Sequence, residues 1–233
     1  MSDPLNVGFL LFPRLTQLDL TGPYEVLSRL PGAAVRLVWK TLEPVRADTG
    51  IGLLPDTTLA GCPRLDLVCV PGGPGVAAVM EDAEILDFLR RQAAGARYVT
   101  SVCTGALVLG AAGLLRGKRA TTHWASHDFL AALCAVPVEG RVVRDGNLFT
   151  GGGVTAGIDF ALAIAAEIAG PEAAQAIQLG IEYAPAPPFD SGTPKTAPAA
   201  VLAEAKRRGS AMRAEREALV GRVAARLDTA TAA

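Results

Sequence analysis

No C-x-x-C pair occurs in this sequence, and the two histidines, His123 and His127, are too few to build a zinc site with the scattered cysteines Cys62, Cys69, Cys103 and Cys134. Zinc modules and dithiol redox motifs are therefore set aside, no metal is expected, and a reduced, cytoplasmic setting fits best. Charge of one sign is missing too: 22 basic residues face 23 acidic ones, for a net charge of -1. Nothing in that balance calls for nucleic acid or an anionic membrane, so the expected partner is a small molecule or another protein. The opening "MSDPLNVGFLLFPRL" has no basic stretch ahead of its apolar segment, which is too short to span a bilayer. Neither export nor a membrane span is expected. Repeats and interdomain linkers are also lacking. With 50% hydrophobic content, residues 1–233 are expected to form a single domain.

Short apolar runs bounded by turn residues are present in number. "NVGFLLF" (6–12), "AVRLVW" (34–39), "LDLVCV" (65–70) and "YVTSV" (98–102) read as buried strands. Between them "GPYEVLSRL" and "DAEILDFLRRQAAG" have helical spacing, with Asp82 placed to cap the second. This β-α-β alternation predicts an α/β fold: a mostly parallel sheet with helices on both faces. "RVVRDGNLFTGGG" interrupts it with a hairpin signal at Asp145-Gly146, ahead of a helix over roughly 155–168. The proline-rich segment 182–198 predicts an extended surface strap. A charged helical tail, about 199–227, follows, its mixed charges reading as a solvated amphipathic face that can pack on a partner subunit.

Ligands of open parallel sheets bind at the carboxyl ends of the strands. Cys103 lies where the strand "YVTSV" hands over to a small-residue helix opening at Thr104-Gly105. Such a nucleophile elbow exposes a side chain to unpaired N–H groups and a partial positive charge, which favour thiolate. A free cysteine here is otherwise a small buried hydrophobe, and the residues alone leave both readings open. Cys62, Cys69 and Cys134 read as structural.

Other strand ends supply candidate partners. Asp19, in a loop ahead of Thr21-Gly22-Pro23, either handles protons for the thiol or caps the local turn. In "VPGGPG", the N–H of Gly73 can join that of Thr104 in stabilising developing negative charge, or the glycines form an ordinary turn. Gly151-Gly152-Gly153 before Val154 opens a helix whose N–H groups at Gly152 and Val154 can do the same, or makes a tight packing turn. In "TTHWASHDFL", a possible helix places His123 and His127 four apart, with no glutamate after His123, so His123 is a residue behind the site or a cysteine-activating base rather than a metal ligand.

Taken in order, "QLDLTGPYEVL", "VPGGPG", "SVCTGALVLGAAGLLRGKRATTHW", "DGNLFTGGGVTAGIDFAL" and "EYAPAPPFD" resemble the PfpI-type, glutamine-amidotransferase-like superfamily over nearly the whole chain, and most of all its isocyanide-hydrating branch. The resemblance implies a flavodoxin-like three-layer α/β sandwich, a homodimer, and a hydro-lyase that turns an isocyanide and water into an N-substituted formamide without a cofactor. It makes Cys103 the nucleophile, Asp19 the essential acid where many relatives carry glutamate, and Thr104 the hydroxyl after the cysteine. Amidotransferase- and protease-like relatives often carry histidine at that last position, which argues against a peptidase. A thioimidate on Cys103 is the implied intermediate. Asp19 can act as an acid near neutrality only if burial or a neighbouring thiolate lifts it well above about 3.9.

Three alternatives remain. A glyoxalase- or deglycase-like activity on 2-oxoaldehydes is disfavoured by Asp19 and Thr104, where such relatives carry glutamate and histidine. The ligand-sensing halves of AraC-type regulators share the "LDLTGP" and "TTHW" flavour, but the tail after residue 199 is one helix long and is not expected to hold a DNA-binding domain. A redox sensor using Cys103 is the third.

Overall fold

Residues 4–229 are described by a computed structural model. The chain runs β1 (Leu5–Leu10), α1 (Gln17–Leu27), β2 (Ala33–Trp39), β3 (Val45–Arg46), β4 (Gly52–Leu53), β5 (Thr57–Thr58), β6 (Leu67–Val70), α2 (Val76–Val79) and α3 (Ala83–Ala93). It continues through β7 (Tyr98–Val102), α4 (Gly105–Ala111), β8 (Arg119–Ala120), a 3-10 turn (Trp124–Ser126), α5 (Phe129–Ala132), β9 (Val136–Pro137), β10 (Val142–Asp145), β11 (Leu148–Gly151), α6 (Ala156–Ala169), α7 (Pro171–Gly180) and α8 (Ala199–Thr229).

Seven strands form the central sheet in the order β10-β11-β7-β6-β1-β2-β5. All neighbours are parallel except the β10–β11 hairpin. Helices α1, α6 and α7 pack on one face and α2 to α5 with α8 on the other, giving the three-layer flavodoxin-like sandwich. Both faces being covered, β6 and β7 are apolar or hydroxyl-bearing and buried at every position. The strand order reverses between β1 and β6, so the loops after β1, β6 and β7 converge over one crevice.

The four strand expectations fall within two residues of β1, β2, β6 and β7, and Asp82 caps α3 by accepting from the N–H of Ile85 at 3.3 Å. Helix α1 differs. It begins at Gln17, so Asp19 sits in its first turn rather than in a loop, and the helix continues through Gly22 and Pro23. Proline removes one N–H, but both residues are buried where α1 meets α6, and a Cβ on Gly157 would stand 2.7 Å from Pro23 Cδ. Close helix–helix packing outweighs the local penalty. The histidine pair also differs: His123 precedes the 3-10 turn and His127 ends it, so no single helix carries both.

Candidate active site

Strand β7 ends at Val102 and α4 starts at Gly105, leaving Cys103 and Thr104 to turn the chain. Cys103 adopts φ 54°, in the left-handed region that a residue with a side chain seldom enters, and is 6% exposed. The neighbours fix that conformation. Cys103 N–H donates to Gly151 O of β11 at 3.0 Å, and Thr122 Oγ1 donates to Cys103 O at 2.7 Å. Gly105 lets α4 start hard against β6, since a Cβ there would lie 2.1 Å from Val70 O.

Asp19 is fully buried. Its Oδ2 accepts from the N–H of Gly72 at 2.8 Å, while Oδ1 has no full hydrogen-bond partner and the carboxyl interacts with the Cys103 thiol. The loop after β6 is knitted to α1, because Thr16 N–H donates to Gly72 O at 2.9 Å. Gly72 is enclosed: a Cβ there would meet Thr104 N at 2.5 Å and Asp19 Oδ2 at 2.8 Å. Asp19, Gly72, Cys103 and Thr104 thus form one buried cluster at the switch point of the sheet.

Burial pushes the Asp19 carboxyl up to about 7, with the charge of Asp48 adding to it, against the opposing pull of the Gly72 and Cys103 hydrogen bonds. Cys103 departs from the expectation of a lowered thiol pKa. Burial first, then the neighbouring Asp19 charge, push the thiol well above its ordinary range, and the N–H and hydroxyl of Thr104 oppose this without prevailing. At rest the pair therefore holds a thiol beside a carboxyl that exchanges its proton near neutrality. Cys69, wholly inside β6, is pushed up to about 12 by burial and Cys62 up to about 11, which suits inert thiols.

The remaining candidates take different places. Gly73 N–H donates to Thr104 Oγ1 at 3.0 Å, so it positions that hydroxyl instead of facing a reacting atom. Gly152 N–H donates to Arg141 O at 2.9 Å, in the backbone connection between hairpin and sheet. Val154 is half-buried against the core at the entrance to α6. His123 Nδ1 accepts from Ala125 N–H at 3.3 Å, and burial together with the charge of Arg216 keeps its imidazole neutral by lowering its pKa. Thr122, Gly72 and Arg216 were not assigned roles from the sequence. Thr122 is marked there only as part of "TTHW". Two surface hollows, one lined by Arg29, Pro31 and Ile177 and the other by Arg97, Arg144 and Glu167, lie towards the opposite end of the sheet from the cysteine.

Residues 6–167 match the model of the DJ-1/PfpI family. The chain is 63% identical to an isonitrile hydratase of Pseudomonas putida over 224 residues, covering 96% of this chain and 98% of the relative. It superposes on the crystal structure of a THiJ/PfpI family protein from Pseudomonas syringae with a TM-score of 0.92 and 44% identity, over 95% of this chain and 92% of that one. An HTH-type transcriptional regulator, GbdR of Pseudomonas aeruginosa, is 33% identical over 75% of this chain but only 50% of its own length.

Proposed function

The chain belongs to the DJ-1/PfpI family, and from that premise we propose that it is an isocyanide hydratase working through Cys103, Asp19 and Thr104. The observation that carries this reading is the buried Asp19 carboxyl against the Cys103 thiol, one oxygen held by Gly72 and the other without a full partner. An isocyanide needs a nucleophile and a proton at the same atom, its terminal carbon. Cys103 sulfur attacks that carbon; its proton passes to Asp19 and from Asp19 to the carbon, giving the thioimidate R–N=CH–S–Cys103. Water adds to this carbon as the nitrogen gains a proton. The resulting R–NH–CH(OH)–S–Cys103 loses the thiol, leaving R–NH–CHO and regenerating Cys103 with its proton. Thr104 supports sulfur charge through its N–H and hydroxyl, and Gly73 fixes that hydroxyl.

The substrate is a small molecule, and the few charged residues near the motifs favour bulky aliphatic or aromatic R groups. Several observations support a single-domain homodimer of the cytoplasm. Leu219, Val220 and Val223 of α8 share the core of the sheet layers, while Leu179 and Phe189 are 81% and 78% exposed, apolar surface that a second copy can cover. Its cysteines are free, and among the described residues no helix is long and apolar enough to cross a membrane.

Purified protein given an aromatic isocyanide is expected to form the N-aryl formamide, with Cys103→Ala inactive and Asp19→Asn reduced by orders of magnitude. Absence of turnover with Cys103 reduced, together with conversion of 2-oxoaldehydes, would transfer the assignment to a glyoxalase-like enzyme.

A further inference from the structure

The C-terminal helix carries two arginines one turn apart that grip the same turn in opposite ways. Arg213 is a surface clamp: it donates to Ala125 O at 2.7 Å, pairs with Asp128 at 2.5 Å and lies 4.7 Å over the Phe129 ring. Arg216, only 9% exposed, donates to Ser126 Oγ at 3.0 Å and to the Met212 sulfur at 3.6 Å. Its Nε is buried without a partner, and among the described residues no carboxylate pairs with it; Glu215 and Glu217 on the same helix are exposed. Arginine does not shed its proton in proteins, and a buried cation facing only neutral groups is strongly disfavoured unless an anion lies near.

The candidate anion is the Cys103 sulfur when it ionises during turnover. Ser126 belongs to the 3-10 turn directly after Thr122 and His123, and Thr122 holds the Cys103 carbonyl. While burial disfavours the Arg216 charge, a charged Cys103 favours it. We propose that Arg216 is a positioning residue of the active site, supplied by α8, whose charge stabilises Cys103 as thiolate while its bond to Ser126 holds the turn that braces the elbow. The charged and titratable groups around the thiol are then Asp19 from α1, with Asp48 behind it, and Arg216 from α8, with His123 from the segment before the 3-10 turn bearing on the arginine. Asp19 opposes the thiolate and Arg216 offsets it, so one negative charge can move between sulfur and carboxyl as the reaction requires. His123 stays neutral beside the arginine, which leaves proton transfer to Asp19.

This inference deepens the hydratase reading, but its test needs no isocyanide. The rate of Cys103 alkylation by iodoacetamide, followed on the Cys103 peptide by mass spectrometry, is measured against pH in wild type, Arg216→Met, Arg216→Lys and Arg213→Met. Because the thiol titrates above the range assayed, the readout is the alkylation rate at each pH from about 7 to 9; Arg216→Met is expected to slow it roughly tenfold throughout, the change that a one-unit rise of the thiol produces. Arg216→Lys should recover most of that rate, and Arg213→Met should lower the melting temperature without changing the rate. A folded Arg216→Met with the wild-type rate, or equal losses in Arg213→Met and Arg216→Met, would overturn the proposal. Should Arg216→Met not fold, Ser126→Ala decides: releasing the guanidinium from its anchor must slow alkylation, and an unchanged rate overturns the proposal. Loss of isocyanide turnover in the wild type would contradict the hydratase assignment while leaving the alkylation result standing.

Discussion

Asp19 is the residue at which stability and reactivity conflict. In the unfolded chain it titrates near its ordinary 3.8, and in the fold it is pushed up to about 7. A raised carboxyl contributes stability that is fully present below the unfolded value and lost as pH rises through the folded one. Above pH 7 the protein therefore carries the full cost of a buried carboxylate, on the order of a few kcal/mol. Asp19→Asn keeps an oxygen for Gly72 and removes the charge. Thermal melts should show it gaining on the wild type between pH 4 and 7 and holding a constant lead at higher pH, although it barely turns over. In the proposed mechanism the same shift sets the pH dependence of catalysis: the carboxylate form receives the thiol proton, so kcat/KM should rise about tenfold per unit below a midpoint near 7 and then level. A profile flat from pH 5 to 9 would contradict that assignment. None of these values could be read from the sequence, because they depend on burial. Arg216 left one trace: it falls in register with Leu219, Val220 and Val223 on the buried stripe of an otherwise charged helix.

Elements bring these residues together, and their boundaries were legible where hydrophobic pattern and turn residues agreed. β1, β2, β6 and β7 are short apolar runs, and Cys103 stands at a strand-to-helix junction in sequence as in space. The start of α1 was hidden because Thr21-Gly22-Pro23 has local turn chemistry, whereas the contact with Gly157 of α6 keeps it helical. Partners of N–H groups were equally hidden: Gly72, rather than Gly73, serves Asp19, a distinction set by the path of the loop after β6. Glycines with the same sequence signal therefore differ in consequence. Gly105→Ala should lower the melting temperature by many degrees, or prevent folding, since Val70 O stands 2.1 Å from the added carbon and backbone cannot give way there. Gly153→Ala meets nothing within 4 Å and should stay within about 0.5 kcal/mol of the wild type in denaturant melts.

On the scale of the whole molecule, one core joins the sheet, both helical layers and the distal part of α8, which is how the proposed role of Arg216 reaches the site. Val201 at the proximal end of α8 is 53% exposed, as Leu179 and Phe189 are elsewhere on the surface. If the proposed homodimer forms over Leu179 and Phe189, Leu179→Glu with Phe189→Glu shifts sedimentation towards monomer while the circular dichroism spectrum stays unchanged; unchanged sedimentation would count against that interface. The central claim is covalent: turnover passes through a thioimidate on Cys103. The direct measurement is the intact mass of the protein, acid-quenched during turnover of an aromatic isocyanide, followed by peptide mapping. We expect a gain equal to the mass of one isocyanide, confined to the Cys103 peptide and absent from Cys103→Ala. Formamide accumulating in rapid-quench time points with no such adduct, or with the added mass on another cysteine, would contradict the account.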